Sequence, residues 1–214
     1  LLVTGPTGSG KTTTIYGALT EIASDEVNIM TVEDPVEYEL PGLAQIQVEP
    51  KKGVTFASAL KAILRQDPDV IFVGEIRDAE TAAMAAQASL TGHLVLATVH
   101  ANDAVGAIRR LTDLGLDLAT VVQTLQGALA QRLVRRLCPS CSVPIEGPLS
   151  ADEQELAAEF GIEPARRAVG CPECHEQGYR GRLPVAEIFS MTPGLEQLIL
   201  SGASALQIEA RALE

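Results

Sequence analysis

Gly5-Pro6-Thr7-Gly8-Ser9-Gly10-Lys11-Thr12 lies between a short apolar run, Leu1–Thr4, and an apolar-periodic stretch, Thr12–Ala23. It follows the pattern G-x-x-x-x-G-K-[ST]. Glycines admit backbone angles that turn successive N–H groups inward, toward phosphate oxygens. Lys11 brings positive charge to the β- and γ-phosphates, and Thr12 offers a hydroxyl to Mg²⁺. Gly5, Pro6, Thr7, Gly8, Ser9, Gly10, Lys11, Thr12 and Thr13 therefore form the candidate nucleotide-binding segment. Ile15, Leu19 and Ile22 recur at helical spacing, so a helix follows and points its positive end at the phosphates. The order strand, phosphate loop, helix predicts an α/β fold.

Working outward, Asn28–Val32 is a second β-rich run, and Pro35 closes it after Glu33-Asp34. Leu43–Val48 suits a half-exposed strand, and Phe56–Gln66 has helical periodicity. Val70-Ile71-Phe72-Val73 is a continuous apolar run of the kind buried on both faces of a parallel sheet. Ala79–Leu90 reads as a helix and Leu94–Val99 as another buried strand. Helices are expected at Val105–Leu114 and Leu118–Leu137. Strand and helix alternate to about residue 114, which predicts a mainly parallel sheet.

In such sheets the carboxyl ends of the strands line the ligand crevice. Glu33-Asp34-Pro35-Val36-Glu37 ends the second strand. It is either a solvated acidic turn or the source of a carboxylate that polarises attacking water or holds Mg²⁺ through water. Gly74-Glu75 ends the Val70–Val73 strand, as an acid beside a phosphate loop should. Arg77 and Asp78 are read as a local ion pair or a cap for the next helix. His100 ends the Leu94–Val99 strand on the ligand side, where it suits contact with a terminal phosphate. His93 sits at the opposite end of that strand, and geometry alone favours a structural role for it.

Cys138, Cys141, Cys171 and Cys174 form two C-x-x-C pairs separated by 29 residues. Four thiolates at this spacing suit a closed structural Zn²⁺ site. Paired C-x-x-C without an export signal reads as a metal site and not as a disulfide framework. Pro139, Pro144, Pro148 and Pro172 mark a change of character, with a helix at Ala151–Phe160 and further helical stretches near Gly194–Leu200 and Ala203–Leu213. The expected organisation is a core at 1–137, a tetracysteine subdomain at 138–182 and a helical segment at 183–214. Both ends have the look of trimmed elements.

The chain has 214 residues, with 16 basic and 28 acidic side chains and a net charge of −12. That acidity, with aromatics at 3% and no Trp, disfavours a nucleic-acid surface. Apolar residues at 46% exclude disorder throughout, and no run reaches the length of a membrane-spanning helix. Residues 101–137 alone are net positive, with 5 basic and 3 acidic groups, among them Arg109, Arg110, Arg132, Arg135 and Arg136. These are either solvated faces or a site for an acidic partner or a phosphate.

GPTGSGKTTT, TVEDPVE (Thr31–Glu37), LRQDPDVIFVGEIRDAET (Leu64–Thr81) and TGHLVLATVHANDA (Thr91–Ala104) occur in this order. QRLVRRLCPSC and GCPECHEQGYRGRLPVAEIF follow. Together they resemble the secretion ATPase superfamily of type II secretion and type IV pilus assembly over essentially the whole chain. The cysteine segment resembles the secretion and pilus-assembly branch more than the retraction branch. The resemblance implies a RecA-like P-loop NTPase core with a small zinc-binding and helical C-terminal subdomain. It implies an ATPase that binds ATP or ADP with Mg²⁺, with Glu33 as catalytic carboxylate and Glu75 near Mg²⁺ and water. It makes His93 and His100 histidine-box residues, His100 catalytic and His93 nucleotide-binding, and the four cysteines Zn²⁺ ligands. It implies a hexamer, cytoplasmic and peripheral to the bacterial inner membrane, that meets platform proteins through an upstream domain and drives pseudopilin or pilin assembly. A RecA-like DNA-translocating or conjugation-type ATPase is the alternative, and the acidic charge argues against it.

Overall fold

The computed structural model describes residues 1–161 and 165–212. Its first part alternates strand and helix as expected. β1 (Leu2–Thr4) leads through the glycine-rich loop into α1 (Lys11–Ile22). β2 (Ile29–Glu33), β3 (Ala44–Gln47), α2 (Phe56–Ile63), β4 (Val70–Val73), α3 (Ala79–Leu90) and β5 (Leu94–Val99) follow. Then come α4 (Gly106–Asp113), α5 (Leu118–Thr124) and β6 (Gly127–Leu137). The later elements are β7 (Val143–Pro144), α6 (Ala151–Phe160), β8 (Arg166–Arg167), β9 (Tyr179–Ser190), α7 (Pro193–Leu200) and α8 (Ala205–Ala212). The expected last helix reached Leu213, which with Glu214 lies outside the described residues.

Seven strands form one sheet in the order β3-β2-β4-β5-β1-β6-β9. β1 through β6 pair in parallel, so their carboxyl ends share one edge. β1 lies between β5 and β6, with Thr4 level with Val99 on one side and Ala130 on the other. Alternation along the strands divides the core into two layers. Val70 and Phe72 pack with Ile15, Tyr16 and Leu19 of α1 on one face. Ile71 and Val73 pack with Leu60, Ile63 and Ala85 of α2 and α3 on the other. Each large side chain buried this way contributes about 1.5–3 kcal/mol of transfer free energy. Thr55 and Ser58 close a capping box on α2, and Asp78 accepts the Thr81 N–H at 2.8 Å to start α3. Asp78 is thus a helix cap, one of its two expected roles.

One expectation fails. The helix foreseen over Leu118–Leu137 stops at Thr124, and its second half is the strand β6. Ala, Leu, Gln and Arg there are good helix formers. The open side of β1 overrides that preference: Ala128, Leu129 and Ala130 pair with Leu2, Val3 and Thr4. Small side chains suit the close packing, since Ala128 is fully buried and a Cβ on Gly127 would lie 2.5 Å from the Phe189 carbonyl. β9 had no counterpart in the sequence reading. It carries Pro184 at the sheet edge, where a missing N–H is tolerated.

The chain divides into two compact units. One comprises 1–132 with 186–214 and holds the parallel strands. The other, Leu133–Val185, holds the four cysteines, α6 and the β7–β8 ribbon. No helix among the described residues is long and apolar enough to cross a membrane.

Candidate nucleotide site and metal centre

Lys11 opens α1 directly from the loop, and Gly10, at φ 85°, makes the turn that only a residue without Cβ adopts freely. No acidic side chain occupies the first turn of α1, so its N–H groups and positive end remain available to an anion. The Lys11 ammonium donates to the Gly5 carbonyl at 2.9 Å and to the Pro6 carbonyl at 3.1 Å, across the loop. Burial lowers its pKa, and the charge of Glu75 works in the opposite direction. The Ser9 hydroxyl is buried inside the loop without a hydrogen-bond partner among the described residues. Gln131 fastens the loop from below: its Nε2 donates to the Ser9 carbonyl at 2.7 Å, and its Oε1 accepts from Thr14 at 2.7 Å. A glycine-rich loop, an ammonium held across it by two backbone carbonyls and an orphaned hydroxyl fit a phosphate chain.

The strand tips bring the other candidates alongside. Glu75, 9% exposed, follows β4; one oxygen meets Arg77 and the other lies 3.7 Å from His100 Nε2. Arg77 also reaches Asp34 at 4.0 Å. Thr4 locks the loop after β5 in place, donating to the Ala101 carbonyl at 2.9 Å and accepting its N–H at 2.7 Å. Glu187 of β9 accepts the Ala104 N–H at 2.8 Å further along that loop. A cavity of about 220 Å³ opens among Gly5, Pro6, His100, Ala101, Asn102 and Arg132.

Glu33 and His93 stand apart from this group. Glu33 is 2% exposed beneath the tip of β2. Its carboxylate accepts from the Tyr16 hydroxyl, from Thr31 at 2.6 Å and from Gln45 at 3.2 Å. Burial, followed by the bond to Glu33, raises the Tyr16 pKa, so the phenol stays a donor. A Cβ on Gly74 would lie 3.1 Å from the Glu33 Cα, so only glycine fits beside it without adjustment. His93 precedes β5, its Nδ1 2.8 Å from the Ala88 carbonyl and 3.1 Å from the Thr91 hydroxyl. The six residues of β5 put roughly 20 Å between it and His100. Thr12 is half-buried and Thr13 exposed, both on the first turn of α1.

The whole chain, residues 1–214, matches the family described as type II/IV secretion system protein. It belongs to that family. It is 52% identical over 211 residues to the type II secretion system ATPase E of Vibrio cholerae serotype O1, covering 98% of this chain and 42% of that protein. It is 47% identical over 220 residues to the type IV pilus assembly ATPase PilB of Myxococcus xanthus, covering 100% of this chain and 38% of that protein. The chain thus spans about two fifths of the length of these relatives. Among solved structures it resembles the pilus retraction motor PilT with bound ADP, at TM-score 0.70 and 32% identity, over 98% of this chain and 52% of that one. The DotB ATPase of Legionella pneumophila, at TM-score 0.64 and 23% identity, covering 98% of this chain and 49% of that one, shares the fold.

This member of the type II/IV secretion system family also carries a cluster of four cysteines that could hold a metal ion. The Sγ atoms of Cys138, Cys141, Cys171 and Cys174 all lie within 4.8 Å of one another. Cys138–Cys171 is 3.9 Å, and Cys141–Cys174 and Cys171–Cys174 are 3.8 Å. Zn–S bonds of about 2.3 Å in a tetrahedron require S···S edges of about 3.8 Å. No disulfide forms. Burial opposes ionisation of Cys174, yet N–H donors from Cys171 and Gly178, each 3.2 Å from its sulfur, outweigh it and bring the thiol to about 7. The donors, their number and their spacing fit Zn²⁺ as a closed site.

The loop, Glu75, His100 and the cysteines are candidates that local spacing in the sequence picks out, and the structure places Glu75 beside His100 and gathers the four cysteines. Sequence reasoning missed Gln131, Thr4 and the Tyr16–Thr31–Gln45 set around Glu33. Gln131 was hidden because its segment was read as helix; the others act across long stretches of chain.

Proposed function

We propose that this chain is the ATP-hydrolysing motor domain of a secretion ATPase that powers pseudopilin or pilin assembly in type II secretion or type IV pilus biogenesis. The observation that carries this reading is the convergence of the phosphate loop, Glu75, Arg77 and His100 at one edge of the parallel sheet. ATP is the substrate, and ADP and phosphate are the products. N–H groups of the loop and of the α1 N-terminus hold the phosphates, and Lys11 exchanges its bonds to Gly5 and Pro6 for phosphate oxygens. Thr12 and Glu75 would hold Mg²⁺, which supplies charge neutralisation between the phosphates. Glu75 and His100 stand side by side to orient water near the terminal phosphate. Glu33 serves as a catalytic carboxylate only when its bonds to Tyr16, Thr31 and Gln45 open. The cysteines would hold Zn²⁺ as a structural centre.

The remainder of the full-length protein would contribute arginines in trans, complete a hexameric ring and contact the platform proteins on the cytoplasmic face of the inner membrane. Such an arginine is worth on the order of 10³–10⁵ in rate in related phosphoryl transfer. The test is ATPase rate and nucleotide titration on the chain, its Lys11→Ala variant and its Glu75→Gln variant. Lys11→Ala should lose binding, while Glu75→Gln should keep ATP and lose hydrolysis. Undiminished affinity in Lys11→Ala, or the parent rate in Glu75→Gln, would overturn the reading.

A further inference from the structure

The cavity beside the phosphate loop contains a cation that the site described above does not use. Gly5 and Pro6 form one wall, His100, Ala101 and Asn102 another, and Arg132 a third. The Gly5 and Pro6 carbonyls also receive the Lys11 ammonium. A phosphate-loop lysine reaches the β- and γ-phosphates. The end of a phosphate chain therefore points toward this cavity.

Arg132 is well placed to meet it. It is the residue after Gln131, and successive residues of a strand face opposite sides of the sheet. Gln131 grips the loop on the α1 side, so Arg132 lies on the other side of the phosphate-loop strand. One of its guanidinium nitrogens donates to the Asn102 carbonyl at 3.0 Å, and among the described residues this is its one hydrogen-bond or ion-pair partner. A guanidinium has five N–H donors in a fixed fork. One is spent on holding the side chain, and the rest have no carboxylate to neutralise them. The backbone that holds it is itself fixed, because Thr4 bonds both the N–H and the carbonyl of Ala101. An exposed arginine, tethered by a backbone carbonyl and without an acidic partner among the described residues, presents its planar fork to the oxygens of a phosphate.

We infer that Arg132 is a γ-phosphate-binding residue supplied by the same chain as the phosphate loop, and that it makes the site prefer the triphosphate to the diphosphate. The inference rests on the nucleotide reading above. It differs from an arginine arriving in trans, because the discrimination is present in a single chain.

The test is displacement of a fluorescent nucleotide by unlabelled ATP and by ADP, with Mg²⁺, on the chain and on Arg132→Ala and Arg132→Gln. A charge-assisted hydrogen bond lost from a bound anion should weaken ATP by roughly tenfold. ADP should change by less than about twofold, since it has no group in the cavity. Arg132→Gln keeps a donor for the Asn102 carbonyl but no charge, and should lose ATP affinity as Arg132→Ala does. Equal losses for ATP and ADP, no loss for either, or full ATP affinity in Arg132→Gln would overturn the inference and leave the nucleotide reading standing. Failure of the parent chain to bind either nucleotide would overturn both.

Discussion

Replacing Gly5 by alanine tests whether the phosphate loop is held in shape by the strand beside it. Gly5 has φ 141°, a conformation an L side chain rarely adopts, and its added Cβ would lie 2.3 Å from the Gln131 carbonyl and 2.7 Å from Ser9 Oγ. Ordinary C···O contacts are about 3.3–3.6 Å, so loop and strand must separate by about 1 Å. The Gln131 carbonyl has little freedom, because the residues before it are locked to β1 by parallel pairing. Backbone strain contributes about 1–3 kcal/mol and overpacking about the same. The total, about 2–6 kcal/mol, is a large part of the 5–15 kcal/mol typical of a folded domain. At about 2–4 °C per kcal/mol for a chain of this size, the sheet-containing unit should melt at least ~4 °C lower. Any loop that relieves the clash by moving outward loses its inward N–H groups, so nucleotide affinity should fall as well. Gly8→Ala is the control: it has φ 78° but nothing within 4 Å of the added Cβ, so it carries strain without collision. Calorimetry and nucleotide titration on both variants decide the matter. A Gly5→Ala protein that melts within 1 °C of its parent (about a quarter of the expected minimum) and binds nucleotide equally would refute the argument, as would identical losses in the two variants.

The metal centre should bind one Zn²⁺ per chain, and Cys138→Ser should release it and loosen 133–185 before the sheet; metal analysis with hydrogen exchange reads both, and a metal-free, fully protected parent would exclude the site. Tyr16→Phe removes a donor to the buried Glu33 carboxylate and should cost about 1.5–3 kcal/mol, measured by chemical denaturation; a change under about 0.5 kcal/mol would show that Thr31 and Gln45 suffice. Hydrogen bonds from Arg167 and from the Ser150 N–H hold the Glu153 carboxyl down at about 2. Its folded-state pKa lies below the ordinary carboxylate value, so its contribution to α6 is present above the ordinary range and is lost as pH falls through about 2. Carboxyl titration by NMR should show the midpoint rising in Arg167→Ala; an unmoved midpoint would remove Arg167 as the cause.

The amino-acid sequence by itself determined the elements whose causes are local. The glycine-rich loop needs its backbone angles and its lysine within eight residues. α3 and β5 were read at their observed ends, Ala79–Leu90 and Leu94–Val99, because Asp78 caps one and a buried apolar run makes the other. The spacing of the cysteine pairs pointed to one thiol cluster, and the four sulfurs do lie within 4.8 Å of one another. Tertiary structure decided the rest. Residues 127–137 have helix-forming side chains, and only the vacant side of β1, more than 120 residues earlier, makes them a strand. That reversal places Gln131 under Ser9 and Arg132 at the cavity, two placements a helical reading could not show. Glu33 stands at the strand tip that sequence assigned to it, yet Tyr16 and Gln45, from different elements, turn its carboxylate inward. His93 and His100 share one motif, and the length of β5 holds them at opposite edges of the sheet. Local backbone preference is worth tenths of a kcal/mol per residue, whereas filling an open strand edge and burying its side chains is worth several, so pairing partners distant in sequence overrule it.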